Sequence, residues 1–587
     1  MTCSAVVQIP PTATRRAYRS SRRVWVRKAR PEALTAASRR SDASSPSTWR
    51  KHTRPNERGA ANSRLWLDAT RSARSAVAAT CATIFPFDLE DGLDADTVAR
   101  MKATAANLDG VIAERRAAVQ HWTARAHALR AESLRRIRRL PPSSRSVLWR
   151  GNAIGEFFHA ALFEEMLHAA GYADAKYVQE VLDGLNIAGP VKPSDVWPPE
   201  PDVTKHHPET TESELLGPWA WEYRARVREM ACDEKSQTIY DDTVEETAAG
   251  YCDGVWDGAR NKYRGFTEEE VSAALGTEVW LPLKRFGVLQ KSKIRGCDDA
   301  AENGLNGTSS RKEKVTLSSV DRIVAMVRMW TLLCPGVRLG AWALDEYKAY
   351  RQIPIDPSQR RFAVVAVVNP QKGADGVARP KVEYFIMNGH CFGFTNAVYN
   401  YCRRPMALHH VLDKLFGIVS DYYVDDRWGI EPMATVKSAY DTTLAVVHML
   451  GIVVQQDKAQ GPPETTPEGK EPWTRPELLG VLVDFDKMEV EIKAERRDDI
   501  SKEIVHILDV EKRLPPGQAS KLKGKLQFAS TTFFGRTGRA FMRPLSERQY
   551  EVKKSQALND PLQVALRAWL RILAAGQPRP ILAKEPR

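Results

Sequence analysis

The chain contains no Cys-x-x-Cys pair: its eight cysteines, at positions 3, 81, 232, 252, 297, 334, 391 and 402, are scattered. That spacing indicates neither a zinc knuckle nor a disulfide framework, and a reducing compartment is the simpler reading. No run approaches the roughly 18–20 apolar residues of a membrane-spanning helix. No secretory signal is visible, so an intracellular protein of the nucleus or cytoplasm is expected. His206-His207 and His409-His410 have no partners at metal-ligand spacing and read as surface or core histidines. Acids are scarce in one place. Residues 1–60 hold 14 Lys and Arg against Glu32, Asp42 and Glu57, so +11 of the net +13 sits there and the remainder is nearly neutral. This Arg- and Ser-rich start, residues 1–90, is expected to be disordered. It fits an organellar transit peptide, a nucleic-acid-binding arm, a nuclear address or a spurious upstream translation alike.

What is present is enough apolar residue, 43% of 587, for about three domains with real cores. Residues 91–275 read as mainly helical, with periodic stretches from Val98 to Leu134, Ser146 to Leu185 and Glu212 to Tyr263, interrupted by a Pro-rich linker from Pro190 to Pro208. Trp149, Trp197, Trp219, Trp221 and Trp256 read as packing anchors. From about 280, strands and helices alternate. Arg361–Val368 and Lys381–Met387 flank a Gly/Pro-rich turn as a hairpin, Asn396–Leu415 and Thr435–Leu450 read as helices, and Glu477–Val483 and Met488–Ile492 as strands. The order matches a split βαβ arrangement.

Within it, Asp421-Tyr422-Tyr423-Val424-Asp425-Asp426-Arg427-Trp428 sets two carboxylates at a tight turn between apolar strands. Ordinary hairpins share that pattern, and the pairs Asp241-Asp242, Asp298-Asp299 and Asp498-Asp499 read as solvated surface charge. A second carboxylate in a matching setting separates the cases: Asp345 ends the apolar run Gly340–Leu344. Two-metal phosphoryl transfer needs carboxylates from separate strands to hold ions roughly 3.5–4 Å apart, and Mg²⁺ takes oxygen ligands.

On these residues the chain resembles the reverse transcriptases of retroelements. The first motif reads Leu344-Asp345 through Tyr350, the second Cys391-Phe392-Gly393-Phe394-Thr395-Asn396-Ala397, with Cys and Phe394 where the family has Pro and Leu, and the third Tyr423-Val424-Asp425-Asp426. Val424 is not the Gly usual in RNA-copying RNA polymerases. Gly451–Val454 with Lys458 resembles the fourth motif, and Leu478-Leu479-Gly480-Val481 the primer-grip hairpin. Lys293 and Arg295 resemble the basic pair of the fingers. On their own they read rather as an edge strand's protective charge, and Lys458 as a solvent-facing lysine. Lys521, Lys525, Arg536 and Arg539, with Arg543, resemble a thumb that contacts a duplex backbone. The segment Lys523–Phe541 is most similar to DIRS-like, tyrosine-recombinase retroelements.

The resemblance implies an α+β right-hand fold: fingers and ferredoxin-like palm over 276–500, helical thumb over 501–550 and a truncated connection over 551–587, too short for an RNase H domain. It implies RNA-directed DNA polymerase activity with two Mg²⁺ (Mn²⁺ a substitute) held by Asp345, Asp425 and Asp426, with Lys458 as fourth catalytic residue. Lys293, Arg295, Tyr350, Phe392 and Gly393 would bind the dNTP, Tyr350 as steric gate against a ribose 2′-hydroxyl. Leu479, Gly480 and the thumb cations would hold the RNA template and DNA primer. The alternative is an idle retroelement remnant that binds nucleic acid.

Overall fold

The computed structural model describes residues 93–149, 157–290, 293–371, 380–461, 473–533, 537–551 and 556–582. The expectations for residues 1–90 lie outside them. The described residues form two compact units, one over 93–489 and one over 490–582, with helix and sheet mixed.

The helical residues before 275 do not stand apart within the first unit. The helix Leu108–Arg138, capped by the Asn107 side chain on the Gly110 amide, buries Val111, Arg115, Trp122 and Ile137 along one seam. These spacings of three to four residues and their multiples place one stripe of side chains against a neighbour. Trp122 and Ile137 join a core that also holds Trp342, Leu344, Leu408, Leu412 and Val447. Arg115 is buried in that interface and binds Glu431 through both nitrogens, at 2.9 and 2.6 Å, with a further bond to the Gly417 carbonyl.

Three expectations change. The Pro190–Pro208 stretch is packed: the Val191 amide donates to Ser310 O, the Glu200 amide to Lys312 O, and buried Glu200 binds Arg311 at 2.7 Å. Proline lacks only its own N–H, so the residues after Pro190 and Pro199 still pair. Residues 252–264 are strands rather than helix, as Cys252–Asp253, Val255–Asp257 and Lys262–Arg264. Tyr240 OH and the Gly265 amide both donate to buried Glu383, and tertiary bonds of that kind fix this stretch. Of the tryptophans, Trp197 is buried, but Trp221 and Trp256 are half exposed.

Two further sheets lie within this unit. One has five strands in the order Cys252–Asp253, Lys381–Met387, Val364–Asn369, Pro282–Gln290, Lys293–Asp298. The hairpin expected at 361–387 is there, Val364 pairing with Ile386 through Asn369 with Lys381. The other has three strands, Leu339–Asp345, Asp426–Pro432 and Asp421–Tyr423, with Asp426–Pro432 in the middle. Helices Thr395–Phe416 and Met433–Met449 match the expected ones within a few residues, the first ended by Gly417 at φ +62°.

In the second unit, helices Ala494–His506, Pro516–Ser530, Arg543–Gln549 and Asp560–Ala575 share one core of Ile504, Leu522, Leu526, Leu545, Leu566 and Trp569. Of the described residues in the stretch expected as a truncated connection, Leu562, Leu566 and Trp569 belong to that core.

Candidate active site

Backbone pairing alone brings Asp345 and Asp426 face to face, as Cα partners across the two strands, although 80 residues of sequence lie between them. The Glu346 amide donates to Asp425 O at 3.2 Å and closes the end of the ladder. The turn between Tyr423 and Asp426 is made by Val424 and Asp425, and Val424 adopts φ +55°. A β-branched residue in the left-handed region stores strain on the order of 1–3 kcal/mol, which the surrounding sheet must hold.

Lys458 arrives from a third segment. The Gln455 amide donates to Asp345 O at 2.7 Å, and Ala343 and Gln460 exchange backbone bonds, so residues 454–460 run along the Asp345 strand. Lys458 Nζ then donates to Asp345 Oδ2 at 2.5 Å. Glu346, next in sequence and buried, pairs with Arg404 at 2.5 Å. Burial, and then the neighbouring carboxylates, push both Asp425 and Asp426 above the usual carboxylate range. Asp345, Asp425 and Asp426 thus lie close together, with Lys458 on Asp345.

Oxygen-only donors crowded together suit a hard divalent cation. In the side-chain arrangement observed, however, no group of three or more His, Cys, Asp or Glu among the described residues is drawn together to hold a metal ion. Asp345 is engaged by Lys458 instead.

Two of the expected nucleotide-binding residues, Tyr350 and Phe392, pack against each other. Tyr350 lies in the one-turn helix Ala349–Gln352, its ring 5.8 Å from Phe392 and 5.1 Å from buried Tyr401. Gly393 sits at φ +115°, where any Cβ would collide with Asp298 O, so the glycine is needed for both its torsion and its contact. Asn306 secures this turn, its amide nitrogen on Gly393 O at 2.9 Å and its oxygen accepting from the Thr395 amide at 2.8 Å. Lys293 and Arg295 lie two apart on the edge strand Lys293–Asp298, facing Gln290 and Val288 across the ladder, and so share a face. Asp298, expected as surface charge, is buried and bound by Arg285 at 2.7 Å.

Leu479 and Gly480 form the two-residue turn of the hairpin Glu477–Leu478 and Val481–Asp484, both at positive φ (+50° and +76°). In the second unit Lys521, Lys525 and Arg539 are exposed, Lys525 pairing with Glu503 at 2.7 Å. Arg536 lies outside the described residues. Asn306, Arg404 and Arg351 were not legible beforehand, because each acts through partners 39 or more residues away in sequence.

No family model matches the chain, and no curated protein matches it. Among solved structures, the foamy viral protease-reverse transcriptase dRH bound to double-stranded DNA is similar at 12% identity and TM-score 0.39, covering 71% of this chain and 60% of that one. The foamy viral protease-reverse transcriptase with an RNA/DNA hybrid gives 11% and 0.38, covering 72% and 47%, and with double-stranded DNA 12% and 0.35, covering 72% of each. The chain thus spans less than two thirds of the first two. Likeness at this level establishes neither fold nor activity.

Proposed function

We propose that the chain is an RNA-directed DNA polymerase that extends a primer 3′-end with dNTPs. The observation that supports this reading best is the convergence of Asp345 and Asp426 as facing strand residues, with Asp425 in the strained turn between strands and Lys458 on the same carboxylate. These residues come from three segments far apart in sequence, and their meeting is what supports the reading.

On this reading Asp345, Asp425 and Asp426 hold two Mg²⁺, which when bound would activate the primer hydroxyl and offset charge on the leaving pyrophosphate. Lys458 would leave Asp345 as the cations arrive and stand ready to donate a proton to the departing pyrophosphate. Lys293 and Arg295 would bind the triphosphate, Arg295 through its planar fork. Tyr350 and Phe392 would bound the sugar, while Lys521 and Arg539 meet phosphates without reading bases. Catalysis is then positioning plus electrostatics.

The test is primer extension on poly(rA)/oligo(dT) with Mg²⁺, comparing the parent with Asp425→Asn. Extension is expected from the parent alone, with template–primer affinity of the variant within a few-fold. A parent that binds template–primer and adds no nucleotide would instead be an idle remnant, and an active Asp425→Asn would remove that residue from the site.

A further inference from the structure

Behind Tyr350 lies a cluster of buried charges that the sequence motifs do not include. Arg351 donates from Nη1 to His390 O at 2.7 Å, from Nε to both oxygens of Glu246 at 3.2 and 3.3 Å, and from Nη2 to Asp298 at 3.3 Å. Arg285 binds the same two acids, Asp298 at 2.7 and 3.2 Å and Glu246 at 3.1 Å, with Thr243 Oγ1 at 2.9 Å. Lys348, at φ +45° beside the one-turn helix, reaches Glu246 at 3.4 Å. Glu246, Arg285, Asp298 and Arg351 are all buried, and their charges balance.

The cluster joins every element that carries the proposed nucleotide residues. Arg351 follows Tyr350. Asp298 ends the strand of Lys293 and Arg295. Between them runs the segment 388–394, which carries Phe392 and is wedged in by two glycines: a Cβ on Gly389 would collide with Arg351 O, and one on Gly393 with Asp298 O. His390 in the same segment donates from Nδ1 to Ile353 O at 2.9 Å and accepts from Asn400 at 2.8 Å, tying it to the residue just past the one-turn helix.

Buried ion clusters of this kind contribute little net stability compared with apolar packing; what multiply bonded guanidinium groups fix is orientation. We infer that Glu246, Arg285, Asp298 and Arg351 form a positioning device that sets Tyr350 and Phe392 for sugar selection, an inference that rests on the polymerase reading. With Arg351 anchored on three sides, the Tyr350 ring is held against Phe392 and Tyr401 and has no room to yield to a 2′-hydroxyl. Releasing Arg351 frees the one-turn helix and lets the ring move aside.

The experiment compares rNTP with dNTP incorporation on an RNA template for the full chain and for Arg351→Met, Arg351→Lys and Glu246→Gln, with thermal unfolding of each. Arg351→Met should raise the rNTP-to-dNTP ratio of kcat/KM at least fivefold. Arg351→Lys should restore most of the discrimination, and Glu246→Gln should shift it in the same direction by a smaller factor. A folded Arg351→Met that discriminates as the parent does overturns the inference, and if that variant fails to fold, an unchanged ratio in Glu246→Gln does so. A parent that extends no primer overturns the polymerase reading and this inference with it; an active parent with unmoved variants overturns the inference alone.

Discussion

The acids of this protein titrate in two opposite senses, and each residue's surroundings decide which. Asp425 and Asp426 are pushed up by burial and by neighbouring carboxylates, so the folded state binds more protons than the unfolded chain. Stability should therefore fall as pH rises above the ordinary carboxylate range. Asp426→Asn removes one of the crowded charges, and without divalent cations it should raise the unfolding temperature at neutral pH by about 1 °C per kcal/mol of repulsion relieved. The gain should vanish near pH 4, where the parent carboxyls are protonated too; a pH series of melting curves checks both. Glu246 and Asp298 behave oppositely. Burial alone would raise them, but Arg351 and Arg285 outweigh it and hold both below the usual range, so their contribution is present at neutral pH and lost in acid. Tyr350 belongs to the same scale. Its replacement by Ala should raise rNTP use relative to dNTP at least tenfold, which needs only about 1.4 kcal/mol of lost discrimination. A ratio equal to the parent's would mark Tyr350 as a packing partner of Tyr401.

Among the elements, two turns depart from what their residues prefer. Val424 and Leu479 both take positive φ, where Asn or Gly would be easier. The Leu479-Gly480 turn is a two-residue hairpin connection with both residues at positive φ, the form that favours Asn-Gly. Leu479→Asn should then stabilise the protein by about 0.5–1 kcal/mol, the order of strain relieved less the packing of a half-buried side chain. Denaturant unfolding will show the sign, and a loss would mean that the leucine's contacts outweigh the turn. Element type and rough extent were readable where periodicity was strong, as in Thr395–Phe416 and the 364–387 hairpin. They were misread at 252–264, where short strands have too few residues to show a period and are fixed by Glu383 from 118 residues away.

For the whole first unit, the long helix Leu108–Arg138 is bound to the three-stranded sheet through Arg115 and Glu431, both buried and 316 residues apart. Arg115→Met would leave Glu431 as an uncompensated buried charge. It should cost about 3–5 kcal/mol, read as a lower midpoint in denaturant with an unchanged slope. A loss below 1 kcal/mol would show that water reaches Glu431 when the arginine is gone. The same comparison would test whether residues before 275 fold with the sheet as one cooperative body, as their shared core implies.

The amino-acid sequence by itself determined the local pieces: Asp345 at a strand end, Asp425-Asp426 at a turn, Lys458 in a loop, Tyr350 five residues past Asp345, and the helices whose apolar spacing is regular. These are short-range patterns, written in residue type and period. Only the tertiary structure decided that Asp345 faces Asp426, that Lys458 meets Asp345 rather than solvent, and that Asp298 is buried between Arg285 and Arg351 instead of lying on the surface. A charged residue carries no local mark of its partner. Whether it is solvated or paired is settled by which distant segment packs over it, and the cost of burying it alone makes that pairing obligatory once the fold has closed.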